Sequence, residues 1–492
     1  MLEKVQADRL AKLEKIRRLG IDPYGGRYDS AQPIAEVLSR YVDGKDDQFA
    51  DVAGRLVLIR DMGKMIFCHL RDSSATMQIC LRKDTPGKPP KGLEETPWTL
   101  AKLLDFGDIV AVGGPVAKTR TGEITVWAER LTLLCKGLDP MPEKFHGLQD
   151  VEIRYRQRYL DLMTNPGSLA VFHKRIAVIE LFRSLLKQRG FVEVETPVLQ
   201  PIYGGGAARP FTTHHNTLDA DMFLRISPEL YLKRLLVGGM EKVFEIGPNF
   251  RNEGLDARHN PEFTMLELYQ AYADYRVMME ITEQLISTAA REVAGGTKLP
   301  FGQRELDFAS PWPRESYEGL FSRHAGVAMR DSAAVRAKAR QLGIEEANKD
   351  DAVVVDEVFK AAVEPVLAAS NRPTFVIDYP ADLCPLARRK DDDPGVALRF
   401  ELYVAGMEIA NAYTELNDPA AQEANFRKQL RGEGDAAAMR MMDEDFIAAL
   451  RHGMPPAGGL GIGIDRVVML LTNTPSIRDV VLFPLLRPEK ES

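Results

Sequence analysis

The chain has 492 residues, 45% of them hydrophobic and 27% charged, with a net charge of −7; that is enough for about two to four domains with full cores. No apolar run is long enough to span a bilayer, and MLEKVQADRLAKLEKIRR mixes acids among its bases without the apolar stretch of a secretory signal, so a cytoplasmic protein with no membrane partner is expected. The cysteines Cys68, Cys80, Cys135 and Cys384 lack CxxC spacing, which argues against a disulfide framework or a zinc motif and for reduced thiols packed as small apolar groups.

Charge is unevenly spread: residues 1–150 carry +1 and the remainder −8, so an acidic body still leaves room for RNA at the front end. Residues 5–19 predict an amphipathic helix with Leu10, Leu13 and Ile16 on one side and Lys4, Arg9, Lys12, Lys15, Arg17 and Arg18 on the other; Gly20 and Pro23 end it. From residue 51 to about 135, short β-rich runs separated by turn residues predict a small antiparallel barrel of five or six strands. RDSSATMQICLR is similar to the binding-face strands of oligonucleotide-binding folds, and Phe67, His69 and Gln78 suit stacking and hydrogen bonding to unpaired bases. KDTPGKPPKGLEETP reads as a loop within it.

A Pro-flanked, Arg/Tyr-rich stretch over residues 141–167 reads as a linker. A helix of about six turns follows, ended by Gly190, and then the strand FVEVETPVL, whose Pro197 cannot donate a ladder hydrogen bond and so marks an edge or an interface. VFEIGPNF and FTMLELYQAYA read as two strands joined by the basic loop NEGLDARHNP, with Phe263, Met265, Leu266 and Leu268 set against Thr264, Glu267 and Tyr269. Residues 301 to about 372 are helix-rich and carry no evident chemistry. ALRFELYVAGMEIANAYTELND is a long β segment, and GLGIGIDR a glycine-rich strand entering a helix.

The chemistry concentrates around residues 250–269. Arg251, Arg258 and His259 suit phosphate, since guanidinium groups bind it bidentately, and Phe263 adds an aromatic face. Glu267 beside Tyr269 favours an ammonium, so the pattern suggests a nucleotide together with an amino acid; the same charges would also serve a surface hairpin whose side chains pair with each other. Glu401, Glu408, Asn411 and Glu415 lie among apolar residues, and Glu401 with Glu408 could hold magnesium alongside phosphate oxygens or pair with arginines elsewhere. Gly459, Gly461 and Gly463 permit close backbone approach, with Arg466 placed to reach a terminal phosphate.

FRNEGLDARHNPEF and GLGIGIDR resemble motifs 2 and 3 of the class II aminoacyl-tRNA synthetases, and the helix with FVEVETPVL resembles motif 1. GGGAARPFTTHHNTLDADMFLRISPELYLKRLLVGG, KFHGLQDVEIRYRQRYLDLM and AGMEIANAYTELND are similar to the lysyl branch of that class. The resemblance implies an α+β protein: an OB-fold anticodon-binding barrel over 25–140 after an N-terminal helix in 1–24, a linker over 141–167, and an antiparallel six-stranded catalytic domain over 168–492 with a helical insertion at about 310–372, in a homodimer with Pro197 at the interface. It implies that Arg251, His259 and Arg466 are catalytic and bind ATP together with Glu253, Asn260, Phe263 and Glu401. It also implies that Glu401 and Glu408 carry Mg2+, more than one ion, and that Gly205, Glu229, Glu267, Tyr269, Asn411 and Glu415 bind L-lysine. In the barrel it implies that Phe67, Gln78 and Glu129 read the anticodon of tRNA(Lys). Two carboxylates around one ammonium, Glu229 and Glu415, are what a lysine side chain needs. Gly206 stands where alanine is expected and Ala412 where glycine is commoner, both small-for-small. An aspartyl- or asparaginyl-type enzyme, a ligase that attaches lysine-like groups to a protein, and an inactive nucleic-acid-binding paralogue are the alternatives.

Overall fold

The computed structural model describes residues 2–45, 47–83, 97–142, 148–206, 208–430 and 442–488. Residues 84–96 of the Lys/Pro/Gly insert, 143–147 of the expected linker and Ala207 of the GGGAARP motif lie outside them. The chain divides into two compact units, Met1–Gly147 and Leu148–Ser492.

In the first unit the strands are β1 Phe49–Asp61, β2 Met65–Arg71, β3 Thr76–Arg82, β4 Ile109–Lys118, β5 Ile124–Trp127 and β6 Arg130–Cys135. Their order is β1-β2-β3-β5-β4-β6, and β1 also pairs with β4, so β1 to β5 close into a barrel while β6 is added along β4. One pairing departs from the antiparallel expectation: β3 and β5 run parallel, which the long crossover through β4 allows. Val52, Leu56, Cys68, Leu70, Ile79, Val112 and Val126 fill the interior. The N-terminal helix, Leu2–Arg18, buries Leu13 and Ile16, but Leu10 is 48% exposed and Arg9 only 6%. The expected faces are thus corrected at two positions. Arg9 turns inward because its guanidinium satisfies the carbonyls of Gly137, Asp139 and Phe106 at 2.8–3.0 Å.

In the second unit the Arg/Tyr-rich stretch forms two short helices, Val151–Arg156 and Arg158–Thr164, ahead of the long helix Pro166–Gln188. FVEVETPVL does not form one strand: it splits into β7 Val192–Glu193 and β8 Leu199–Gln200, with Pro197 exposed between them. β8 joins β9 Thr212–His215 and β10 Ala220–Leu224 in a small sheet. β11 Lys242–Phe250 and β12 Glu262–Ala271 are the strands flanking the basic loop. After the hairpin β13 Lys298–Phe301 and β14 Arg304–Asp307 come β15 Arg314–Ser316, β16 Thr374–Pro380, β17 Val396–Val404, β18 Met407–Thr414 and β19 Ala457–Gly463.

The main sheet runs β15-β16-β17-β18-β19-β12-β11-β7. Six antiparallel strands make its body, and a very short parallel strand is added at each edge. Hence Arg314–Ser316, inside the expected helical insertion, belongs to the sheet; the helices Tyr317–Ala325, Ser332–Gln341, Asp351–Ala362 and Glu364–Ala369 follow it. One sheet face is dry. Leu266, Leu268, Phe400, Leu402, Ala410, Ala412, Leu460 and Ile462 pack there with residues of the helices Pro166–Gln188, Tyr275–Ala289 and Ile464–Leu471. Strand alternation then sends Met265, Glu267 and Tyr269 to the opposite face, so the expected grouping of Met265 with Leu266 and Leu268 does not hold.

Arg158 is 0% exposed. It donates to Asp161 Oδ2 at 2.6 Å and to the carbonyls of Leu482 and Arg478 at 2.9 and 2.7 Å. Asp161→Ala would leave this cation buried without its counter-charge, and a stability loss of about 3–5 kcal/mol is expected by urea unfolding.

Candidate active site

The floor of the site is β19. Gly459, Gly461 and Gly463 point to the open face, and the register sets Tyr269, Glu267 and Met265 of β12 beside them on one side, with Tyr413 and Asn411 of β18 beside the first two on the other. A strand without side chains between two strands that have them is a trough. A Cβ on Gly459 would collide with Glu415 Oε1 and the Tyr269 ring, so glycine is required there. Over the trough lies a cavity of about 900 Å³ whose walls include Gly205, Gly206, Ser227, Glu229, Arg251, Glu267, Tyr269, Asn411 and Arg399. A neighbouring cavity of about 220 Å³ is lined by Arg251, Glu253, Arg258, His259, Asn260, Phe263, Glu408 and Arg466. A third, of about 370 Å³, holds Arg258, His259, Glu401, Glu408 and Arg466. Shared wall residues join the three along one sheet face.

At the acidic end, Glu229 opens the helix Glu229–Val237, where the helix dipole favours a carboxylate. Ser227 Oγ donates to Glu267 at 2.9 Å and accepts from the Glu229 amide at 3.1 Å, tying the two acids together. Burial and the charge of Glu229 push the Glu267 carboxyl up to about 8, and burial first, with the acids around it, raises the Tyr269 phenol well above its ordinary value, so Tyr269 is a neutral donor. Glu415 is not on the cavity wall: it is 1% exposed and its Oε1 fills the space a side chain at 459 would take. Between Glu229 and Glu415 sits Lys233, its ammonium 2.7 Å from Glu229 Oε1 and in contact with Glu415 Oε2. The expectation that these acids wait for an outside cation is therefore corrected, because the chain supplies one. Lys233 is one helical turn after Glu229, a spacing that signals the contact.

Arg251 stands at the junction of the first two cavities. Its guanidinium lies 5.1 Å from the centre of the Phe263 ring, and its Nε is buried without a hydrogen-bond partner among the described residues. Such a cation is poised for an anion. His259 Nδ1 lies 2.8 Å from Asp256 Oδ2 and its Nε2 lies 3.1 Å from Arg466, so the ring donates through Nδ1 and accepts from Arg466 through Nε2. Arg466 also donates to the Glu408 carbonyl at 2.6 Å, and Arg258 to that of Gly406 at 2.9 Å. Asn260 is buried and donates to the Glu262 carbonyl, while Glu253 is exposed at the loop.

The expected single β segment ALRFELYVAGMEIANAYTELND, residues 397–418, is instead the hairpin of β17 and β18, turning at Ala405 and Gly406. A bulge opposite Leu402 and Tyr403 leaves Ile409 unpaired, and this puts Glu408 and Asn411, three residues apart, on one face, where Asn411 Nδ2 donates to Glu408 Oε1 at 3.2 Å. Glu401 accepts from Tyr379 and Tyr403 at 2.8 and 2.7 Å and contacts Arg399. Burial, then Glu401, raises the Glu408 carboxyl. Among the described residues no three acids, histidines or cysteines gather as a metal nest. Two converging carboxylates beside Arg258, His259 and Arg466 nonetheless fit a cation such as Mg2+, which takes few protein ligands and completes its shell with phosphate and water. Asp356, Lys360 and Glu364 line the same cavity, so the helical region is not without charged groups at the site.

On the barrel, Phe67 packs edge-on to Trp127 with centroids 6.3 Å apart, and Gln78, directly opposite His69, donates to Glu123 at 2.6 Å and accepts from Thr125 at 2.8 Å. His69 Nε2 is 3.1 Å from Glu123. Glu129 is exposed at the link from β5 to β6. Trp127 and Glu123, absent from the sequence reading, complete this face; their alternation with Thr125 along one short strand is the signal that marks them.

A family model described as tRNA synthetases class II (D, K and N) matches residues 150–487, and one described as OB-fold nucleic acid binding domain matches residues 50–134. The lysine–tRNA ligase of Pelotomaculum thermopropionicum is 51% identical over 99% of this chain and 96% of its own. That of Moorella thermoacetica is 50% identical over 99% and 98%, and that of Magnetococcus marinus 46% over 98% and 97%.

Gly459→Ala forces Glu415 and Tyr269 apart, and a loss of about 1–3 kcal/mol is expected by urea unfolding, as for other overpacked interiors.

Proposed function

This chain belongs to the class II tRNA synthetases of the D, K and N type, and from that premise we propose how its geometry carries out the family's reaction on lysine. It activates lysine with ATP and joins the product to tRNA. The observation that supports this best is the arrangement along one trough: a net-acidic pocket at one end and, next to it, an arginine that forms no ion pair among the described residues. Glu229 receives the side-chain ammonium with Tyr269 beside it, and Glu415, paired with Lys233 behind the wall, adds its charge to theirs, while Gly205, Glu267 and Asn411 hold the α-amino and carboxylate end. The cationic Lys233 does not make this an aspartate pocket, because two carboxylates outweigh it.

In the first step the lysine carboxylate, already ionised at neutral pH, attacks the ATP α-phosphorus in line, the bond to the β-phosphate breaks, and pyrophosphate leaves to give lysyl-adenylate, so no general base is required. Arg251 bridges that carboxylate and the α-phosphate and stabilises the charge developing there. Phe263 stacks on adenine, Glu253 and Asn260 support the nucleotide, and His259 and Arg466 hold the outer phosphates. Glu401 and Glu408 would carry Mg2+, which neutralises phosphate charge when bound. In the second step the terminal adenosine hydroxyl of tRNA(Lys) attacks the lysyl carbonyl of the mixed anhydride, whose bond to phosphate breaks so that AMP and the hydroxyl proton are released, with Phe67, Gln78 and Glu129 reading the anticodon by stacking and hydrogen bonding. A homodimer with Pro197 in its interface is supported by the exposed apolar Ile176, Val192, Val198 and Leu199 on neighbouring segments. No helix among the described residues is long and apolar enough to cross a membrane, and we place the enzyme in the cytoplasm, with its tRNA.

An exchange assay between ATP and pyrophosphate, run with each amino acid, tests the reading: lysine supports exchange, and aspartate and asparagine do not. Arg251→Ala is expected to lower the lysine-dependent rate by at least about a hundredfold, the scale for losing one transition-state donor; a near-normal rate refutes its role. A protonated Glu267 cannot ion-pair with an ammonium, and its carboxyl is raised to about 8 by burial and Glu229 against the pull of Ser227, Arg251 and Arg225. The KM for lysine should therefore fall as pH rises from about 6.5 to 8.5, with kcat changing less; a KM that rises over that range contradicts the assignment.

A further inference from the structure

Lys233 is 0% exposed, and its ammonium meets carboxylates from two different elements, Glu229 on its own helix and Glu415 just after β18. A sequestered ammonium needs a counter-charge, but one carboxylate would suffice. Here there are two, and neither oxygen of Glu415 accepts a well-aligned hydrogen bond from the described residues. Glu267 and Tyr269 face the same space from β12 and add no cation. Burial, opposed by Lys233, raises the Glu415 carboxyl to about 8; once it is ionised beside Glu229 the trio carries one surplus negative charge, next to a trough floor that is bare at Gly459.

We propose that Lys233 is a specificity-determining positioning residue: it is the resident half of a cluster of two carboxylates and two ammonium groups, and the substrate's side-chain ammonium is the other half. The inference rests on the reading of this cavity as the lysine subsite. One incoming cation brings the cluster to neutrality. An uncharged side chain of the same length leaves a carboxylate without its partner, and an acidic one adds repulsion, so selection follows from charge balance as well as from fit. Lys233 also holds the two acids apart at fixed positions, which spares the ligand the cost of organising them.

The test is a charge-balance cycle in the full-length enzyme, read as KM and kcat for lysine in pyrophosphate exchange. Glu415→Gln leaves one carboxylate against one ammonium, and the lysine KM is expected to rise about a hundredfold, the scale for breaking a buried ion pair. Adding Lys233→Met to that variant restores one net negative charge. The double variant should recover at least about tenfold of the lost KM while kcat stays within about threefold of the single variant, a coupling far from additive. Lys233→Arg, which keeps the charge and so the fold but replaces the compact ammonium, should raise the lysine KM at least about fivefold with little change in kcat. A double variant no better than Glu415→Gln, or a Lys233→Arg enzyme with an unaltered lysine KM, overturns the proposal alone. Wild-type enzyme without lysine-dependent exchange, or Glu415→Gln with an unaltered lysine KM, overturns the underlying reading of the pocket.

Discussion

The central strand of the catalytic sheet presents three glycines to the open face, and this want of side chains at 459, 461 and 463 makes the rest of the site feasible. A pleated sheet ordinarily fills its own surface, because residues directly opposite on neighbouring strands meet at about 5 Å. Emptying one strand at the middle opens a channel whose sides are already furnished by β12 and β18. Most of the residues proposed to touch a ligand are then carried on paired strands or at a helix start, where side-chain positions are held by backbone hydrogen bonds and a dry core beneath. The basic loop after Phe250 is the exception, and even there Asp256 anchors the backbone amides of Arg258 and His259.

Charge is the second organising quantity. Much of this sheet face is ionisable and buried, a costly arrangement unless each group has a partner. Most do: Glu401 has Arg399 and two phenols, Glu245 has Arg225, and Asp465 has Arg175 and the Thr264 amide. The imbalances are local and of opposite sign, a surplus carboxylate at the Lys233 cluster and an unspent guanidinium at Arg251. A zwitterion extended along the trough answers both, so the same accounting that describes stability also describes recognition.

Much of this was legible in the residues. The strands around the basic loop follow from their apolar content and the turn chemistry between them, and the barrel from its short β runs. What escaped has physical causes. The hairpin at 405–406 was invisible because an Ala-Gly turn between apolar runs carries no polar signal, and Ala405 adopts a positive φ that nothing in its type announces. The bulge at Ile409 is a matter of register, which period-two reasoning cannot anticipate. FVEVETPVL has the composition of a strand, yet the proline interrupts it. Arg9 and Lys233 are cations that fold inward because the partners they find are far along the chain or a full turn away, and composition alone assigns such residues to water.

The glycine strand is made after both of the strands it joins. It lies between β18 and β12, so until residues 457–463 leave the ribosome the sheet exists only as two unconnected halves, each with a raw edge. The carbonyls that hold Arg158 come later still. Translation therefore delivers the keystone after the arch, and for most of its synthesis this polypeptide carries exposed β edges that the cell must shield from its neighbours.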